Sequence, residues 1–258
     1  MPSTVETGPG WELRLGDFRE VLAGVEGITH VICDPPYLGA KVVGGGSWSG
    51  SRKPDSASLA VAGQPVMGYE PASAELLTSI VNFSRTRASG WLVAFNDFDG
   101  VACMRQRVQS TKGTAFEPIA WVKPPCLTPR RGVNYMPEKG TEYILAARWN
   151  RQKANGRMMP GAYVSPRNTP PPDRTLVVTG GKPLALMRAI VRDYTEPGDL
   201  ICDPTAGGAT TLLAAVIEGR RAIGAERDPQ TYAKAVARLR GGYTPTLFGD
   251  EPRADLGE

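Results

Sequence analysis

Two short segments hold residues whose types and spacing could do chemistry. Asp34-Pro35-Pro36-Tyr37 follows an apolar run and sets a carboxylate, a backbone carbonyl and an aromatic face at one point of the chain. Asp203-Pro204-Thr205-Ala206-Gly207-Gly208-Ala209-Thr210-Thr211 follows a second apolar run and opens a glycine-rich turn with another carboxylate. The first segment suits activation of an exocyclic amine on a nucleobase. Such a nitrogen is a poor nucleophile while its lone pair is delocalised into the ring, and acceptors on its N–H groups let it pyramidalise. Asp34 and the Pro35 carbonyl can be those acceptors, because proline lacks a competing N–H and two successive prolines stiffen the turn. Tyr37 offers a face to an unstacked base, worth roughly 1–3 kcal/mol against the cost of unstacking.

The second segment suits an extended, cationic ligand. Gly207 and Gly208 permit close backbone approach at a strand-to-helix turn, where parallel sheets bind their ligands. The turn lacks the GxGxxG spacing of a dinucleotide site, and a carboxylate at its head opposes a phosphate. A sulfonium and an ammonium are instead attracted to Asp203, so the ligand expected is S-adenosylmethionine and the reaction methyl transfer. Glu226 ends the next strand, where one carboxylate can accept from both hydroxyls of a ribose.

These segments need a sheet to bring them together. The apolar runs Thr29 to Cys33, Trp91 to Phe95, Ile119 to Lys123, Glu142 to Arg148, Leu200 to Cys202 and Ala222 to Ala225 read as strands, as does Trp11 to Leu15. Helical spacing covers Pro71 to Arg85, with Leu76, Leu77, Ile80 and Phe83 on one side, and the stretch after Pro183, with Met187, Ile190, Val191 and Tyr194. Two further helices follow the glycine turn, the second opened by Asp228 as N-cap with Pro229 behind it. Alternation of this kind predicts an α/β fold, Rossmann-like, with a mostly parallel sheet and helices on both faces. One catalytic domain over residues 11–240 is expected, with a mobile, glycine-rich loop at 38–70, a basic, proline-rich insert at 148–181 and a poorly ordered tail at 241–258.

Composition narrows the setting. An apolar fraction of 41% over 258 residues supports a packed core. The four cysteines form no CxxC pair, and the single histidine, His30, gives them no companion, so neither a metal site nor a disulfide framework is indicated. No apolar run approaches the ~18 residues of a membrane span, so a soluble protein of the reducing cytoplasm is expected. Net charge is +4, yet residues 148–182 carry seven basic residues against Asp173 alone. A local excess of that sign suits a polyanion, and Arg151, Lys153, Arg157, Arg167 and Arg174 are the expected contacts to nucleic acid. Five prolines between Pro160 and Pro172 argue against a long helix or a central strand there, which makes the insert irregular.

With both halves read, the chain resembles the amino-methylating DNA methyltransferases of permuted motif order, in which the catalytic tetrapeptide precedes the cofactor turn. Gly16-Asp17-Phe18 is similar to the family segment whose acidic residue contacts the adenine of the donor. Asp34-Pro35-Pro36-Tyr37 matches the catalytic motif in full. Trp121-Val122-Lys123 and Glu142-Tyr143-Ile144-Leu145 resemble two later family strands, and Lys182-Pro183 the segment before the cofactor helix. The resemblance implies a site in which Asp34, Pro35, Pro36 and Tyr37 are catalytic. It assigns the donor to Asp17, Phe18, Asp34, Lys182, Asp203, Pro204, Thr205, Ala206, Gly207, Gly208, Glu226 and Arg227. It further implies N6-methylation of adenine in double-stranded DNA, with a basic insert reading sequence and a homodimer as a common assembly. Thr205 departs from the family, which commonly places an aromatic there. N4-methylation of cytosine, methylation of RNA and a non-catalytic subunit of the same fold stay open. Restriction, phage or housekeeping origin leaves no mark on these motifs.

Overall fold

The computed structural model describes residues 4–38, 72–124, 140–149, 158–165 and 181–241, together with the backbone of 244–246 and 249–251. Its centre is five parallel strands: β2 (Trp11–Leu15), β3 (His30–Cys33), β4 (Leu92–Asn96), β9 (Leu200–Asp203) and β10 (Arg221–Glu226). They lie side by side in the order β2-β10-β9-β3-β4. The sheet continues on one side with β1 (Val5–Gly8), antiparallel to β2. On the other side come β7 (Thr141–Arg148), β6 (Ile119–Val122) and β8 (Ala162–Val164), while the two-residue β5 (Thr114–Ala115) also pairs with β7.

Strand alternation splits the interior into two cores. Ile32, Val93, Phe95, Ile144 and Ile201 point to one face, and Val31, Cys33, Leu92, Ala94, Leu145 and Cys202 to the other. The first face is covered by α4 (Leu184–Tyr194), α5 (Thr210–Ile217) and α6 (Pro229–Gly241). The second is covered by α1 (Phe18–Val21), α2 (Ala74–Arg87) and α3 (Phe98–Ser110). Strands buried on both faces read as continuous apolar runs, which is why the sequence reveals them. Each fully buried Leu, Ile or Phe contributes roughly 1.5–3 kcal/mol of burial free energy.

The connections run outward from the middle. From β3 the chain passes through α2 to β4 on one side, and from β9 through α5 to β10 on the other. Adjacent strands β3 and β9 therefore form a topological switch point, and open α/β sheets bind their ligands in the crevice outside the carboxyl ends at such a point. Asp34 follows one of those ends and Asp203 closes the other.

Several sequence expectations are corrected. Helix α3 was not expected because its apolar residues, Val101, Met104 and Val108, are sparse between polar ones. Strand β7 runs antiparallel to β4, pairing Asn96 with Tyr143 and Leu92 with Ala147, a reversal within the mostly parallel sheet that the sequence leaves unmarked. The insert is not wholly irregular: Ala162–Val164 adds a short strand beside β6, just after Pro160. The tail is not wholly unordered either, since Thr244–Thr246 and Gly249–Glu251 pair as antiparallel strands. The glycine-rich loop at 38–70, apart from Leu38, lies outside the described residues. So do Arg151, Lys153, Arg157, Arg167 and Arg174. Among the described residues no helix is long and apolar enough to cross a membrane.

Candidate active site

Asp34 emerges from β3 into the crevice, and its two oxygens differ. Oδ2 accepts from Lys182 Nζ at 2.5 Å. Oδ1 is buried and has no hydrogen-bond partner. Burial raises the Asp34 pKa and Glu142 adds to the rise, while Lys182 and the Tyr37 hydroxyl act against it. Lys182 is 6% exposed and spans two carboxylates, with Glu142 Oε2 at 3.4 Å as its second. Its ammonium also lies over the rings of Tyr37, Phe95 and Trp121, at 5.2, 5.1 and 6.0 Å from their centroids.

Glu142 anchors the far side of this cluster. Its Oε1 accepts from Lys123 Nζ at 2.8 Å, and its Oε2 from the Tyr37 hydroxyl at 2.5 Å. Burial alone would raise its pKa, but Lys182 and Lys123 outweigh burial and hold it at about 2. Two lysines against two carboxylates keep the cluster near neutrality, as buried charges require. Strand direction brings these groups together. Because β7 and β4 are antiparallel, Glu142 at the start of β7 meets the carboxyl ends of β3 and β4, and Lys123 directly follows the paired end of β6.

The tetrapeptide is fixed from β4. Asn96 is fully buried; its Nδ2 donates to the Pro36 carbonyl at 3.3 Å and its Oδ1 accepts from Leu38 N–H at 3.3 Å. The Pro35 carbonyl accepts no hydrogen bond among the described residues. Room for the Asn96 side chain depends on Gly100, where an added Cβ would fall 1.8 Å from Asn96 Oδ1. Gly100→Ala is expected to displace Asn96 and release the tetrapeptide, lowering turnover at least tenfold with a smaller effect on donor binding. Single-turnover rates and calorimetry on the same preparation check this.

Across the crevice, Asp203 is 1% exposed. Its Oδ1 accepts from Thr205 N–H at 3.0 Å, and the Thr211 hydroxyl donates to the same carboxylate. Burial pushes its pKa up to about 7; the two hydrogen bonds oppose the rise, and the charges of Asp34 and Glu226 increase it. Thr205 Oγ1 is a second buried atom without a partner. The turn bends through two left-handed residues, Gly207 at φ 51° and Ala209 at φ 57°. For alanine that conformation is a strain of the sort that clusters at binding sites. Glu226 closes the turn from β10, with Oε2 accepting from Gly207 N–H at 2.9 Å and Oε1 from Asp228 N–H at 2.7 Å. Gly224 admits the turn, since a Cβ there would meet the Ala206 Cβ at 3.1 Å and the Asp203 carbonyl at 3.2 Å.

Residues 28–237, which hold both halves of this crevice, match the model of the N6/N4 DNA methylase family. The chain belongs to that family. Among solved structures, this family member is similar to the M1.HpyAVI–SAM complex, with a TM-score of 0.61 and 19% identity over 89% of this chain and 98% of the other. It is similar to the same degree to the cytosine-N4-specific PvuII DNA methyltransferase, with a TM-score of 0.62 and 18% identity over 90% and 86% of the two chains. Likeness at that identity speaks to fold. A local match of 38% identity over 58 residues relates 22% of the chain to the DNA adenine methyltransferase YhdJ of Escherichia coli. The matched segments amount to about a fifth of the length of the curated relatives.

Within this member of the family, the residues expected at the site fall in three groups. Asp34, Pro35, Pro36 and Tyr37 gather with Lys182, which touches the tetrapeptide carboxylate. Asp203, Pro204, Thr205, Ala206, Gly207, Gly208 and Glu226 form the second wall. Asp17 and Phe18 lie beyond it, next to the end of β10, where Gly16 N–H donates to the Glu226 carbonyl at 2.9 Å. There Asp17 caps α1, pairs with Arg19 at 2.6 Å and feels the charge of Arg227, while Phe18 packs edge-on against Phe83. Asn96, Lys123 and Glu142 were not among the site residues expected from sequence. Asn96 is a fully buried amide at a strand end, and buried amides need partners, but that burial is visible only in the fold.

Proposed function

We propose that the protein is a DNA adenine N6-methyltransferase of permuted motif order. It takes its methyl group from S-adenosylmethionine and acts on a base turned out of double-stranded DNA. The buried, unpartnered Oδ1 of Asp34, at the carboxyl end of β3 beside β9, is the observation that carries this reading. An amine N–H brought there meets a charged acceptor, and the Pro35 carbonyl offers a second. Support for adenine comes from YhdJ, which is described as an adenine methyltransferase.

The second wall fits the donor. Asp203 places negative charge where a sulfonium or ammonium would lie, Thr205 Oγ1 lacks a partner, and the carboxylate of Glu226 stands at the next strand end, suited to ribose hydroxyls. S-adenosylmethionine supplies the electrophilic methyl. Residues of this chain do the rest: Asp34 draws the amine out of conjugation and neutralises the charge that develops on nitrogen, Tyr37 stacks on the base, and Asn96 keeps the turn rigid. Arg151, Lys153, Arg157, Arg167 and Arg174 are the proposed contacts to the phosphate backbone.

Nucleotide-resolution modification mapping of DNA from cells expressing the protein tests this. N6-methyladenine in a defined context, absent when Asp34 is replaced, is the expected result. N4-methylcytosine in its place would reassign the base, and unmodified DNA with no donor binding would remove the activity.

A further inference from the structure

We propose that Lys182 is a positioning residue for the tetrapeptide: its ammonium, held between Asp34 Oδ2 and Glu142, keeps the Asp34 carboxylate charged and turned so that Oδ1 receives the amine. This deepens the function proposed above and rests on it for the identity of the amine.

A carboxylate at an ordinary surface rotates and shares its oxygens with water. Asp34 does neither, because one oxygen is tied at 2.5 Å to a lysine that is itself 6% exposed, and the other is buried. The lysine is fixed in turn. Glu142 takes it from the opposite side at 3.4 Å, and the rings of Phe95, Trp121 and Tyr37 surround the ammonium. Lys123 occupies the other oxygen of Glu142 at 2.8 Å, which keeps Glu142 charged and aimed at Lys182. The relay thus runs from Lys123 through Glu142 and Lys182 to Asp34, whose Oδ1 is left without a hydrogen-bond partner among the described residues.

Among the described residues, the charged and titratable groups that act on Asp34 include Lys182, Glu142, Tyr37, Asp203 and Cys33. Of these five, Lys182 is the cation, so removing it strips the half-buried carboxylate of the ammonium that touches it. Burial then drives Asp34 toward its protonated form, which cannot accept from the amine with the same strength. Removing the charge of Glu142 has the opposite sign, since a negative neighbour is lost while Lys182 stays.

The test follows the Asp34 carboxyl 13C resonance, assigned by its loss in Asp34→Asn, through a pH titration of the full chain. In Lys182→Met the midpoint is expected to rise by at least one pH unit, and in Glu142→Gln to fall. General damage to the fold would not move the two variants in opposite directions. Should Lys182→Met fail to fold, the sign of the Glu142→Gln shift decides alone. An unmoved or lowered midpoint in Lys182→Met, or a raised one in Glu142→Gln, overturns the proposal. Methyl transfer at saturating donor adds the kinetic reading: the acid limb of kcat follows the resonance in each variant, and raising the pH rescues Lys182→Met. Lost donor affinity with an unmoved resonance would assign Lys182 to the donor site and overturn the proposal. Expected resonance shifts in a protein that methylates no DNA would uphold the role of Lys182 and reject the function proposed for the site.

Discussion

Asp34→Asn is expected to reduce methyl transfer by roughly 10²–10⁴-fold, the range typical of a positioned acid/base group. The amide keeps the shape of the carboxylate and retains one carbonyl acceptor, but it is neutral. It therefore accepts more weakly from the amine and cannot offset the positive charge that grows on nitrogen as the N–C bond forms. Lys182 loses the charge of its 2.5 Å partner, while Glu142 stays at 3.4 Å. Donor binding should change little, because Asp203, Thr205 and Glu226 stand on strands β9 and β10 and the turn between them, beyond β3. Single-turnover methylation measured beside donor calorimetry separates the two quantities. Retention of more than about a tenth of the wild-type rate would contradict the acceptor role, since that loss is only about 1.4 kcal/mol of transition-state stabilisation.

What the sequence revealed depended on how local its cause was. Strands β3, β4, β9 and β10 were legible because burial on both faces writes an apolar run, and α4 because Leu184, Met187, Ile190, Val191 and Tyr194 repeat at helical spacing. Asp34 and Asp203 were legible as strand-end carboxylates for the same reason. Glu142 was not. Its role follows from the direction of β7, and nothing local to Glu142-Tyr143-Ile144 says that the strand runs backwards. In a parallel strand, residue 142 would lie at the opposite edge of the sheet from Asp34; reversed, it becomes the centre of the charged cluster. Lys123 depends on the same reversed strand, and Asn96 on the pairing of β4 with β3. Lys182 was picked out by resemblance and assigned to the donor, while its ion pair with Asp34 spans 148 positions and has no trace in spacing. Positions of charge are readable from sequence, then, and their partners across a mixed sheet are not.

Asp203→Asn should weaken the donor and yet spare the fold, a combination that ordinary core damage does not give. The carboxylate is buried with a pKa of about 7, raised first by desolvation and also by Asp34 and Glu226. A group whose folded pKa lies above its unfolded value favours the native state at low pH, and loses that advantage as pH rises through the folded pKa. At pH 8 the wild-type chain thus carries a buried charge that asparagine removes. The amide carbonyl of the substituted side chain would still accept from Thr205 N–H, which in the wild type bonds to Oδ1 at 3.0 Å, so Tm at pH 8 should not fall. Binding of a cationic donor has the opposite sign. It needs the ionised carboxylate, so donor affinity should rise with pH between about 5 and 7 in the wild type and then level. Asparagine should flatten that rise and weaken binding at pH 8 by roughly 10- to 150-fold, corresponding to about 1.5–3 kcal/mol for a hydrogen bond or contact to a charged group. Calorimetric titrations of both proteins at several pH values, with thermal melts on the same samples, make the comparison. A variant that melts lower and binds with an unchanged pH profile would mean that Asp203 supports the turn without meeting the donor.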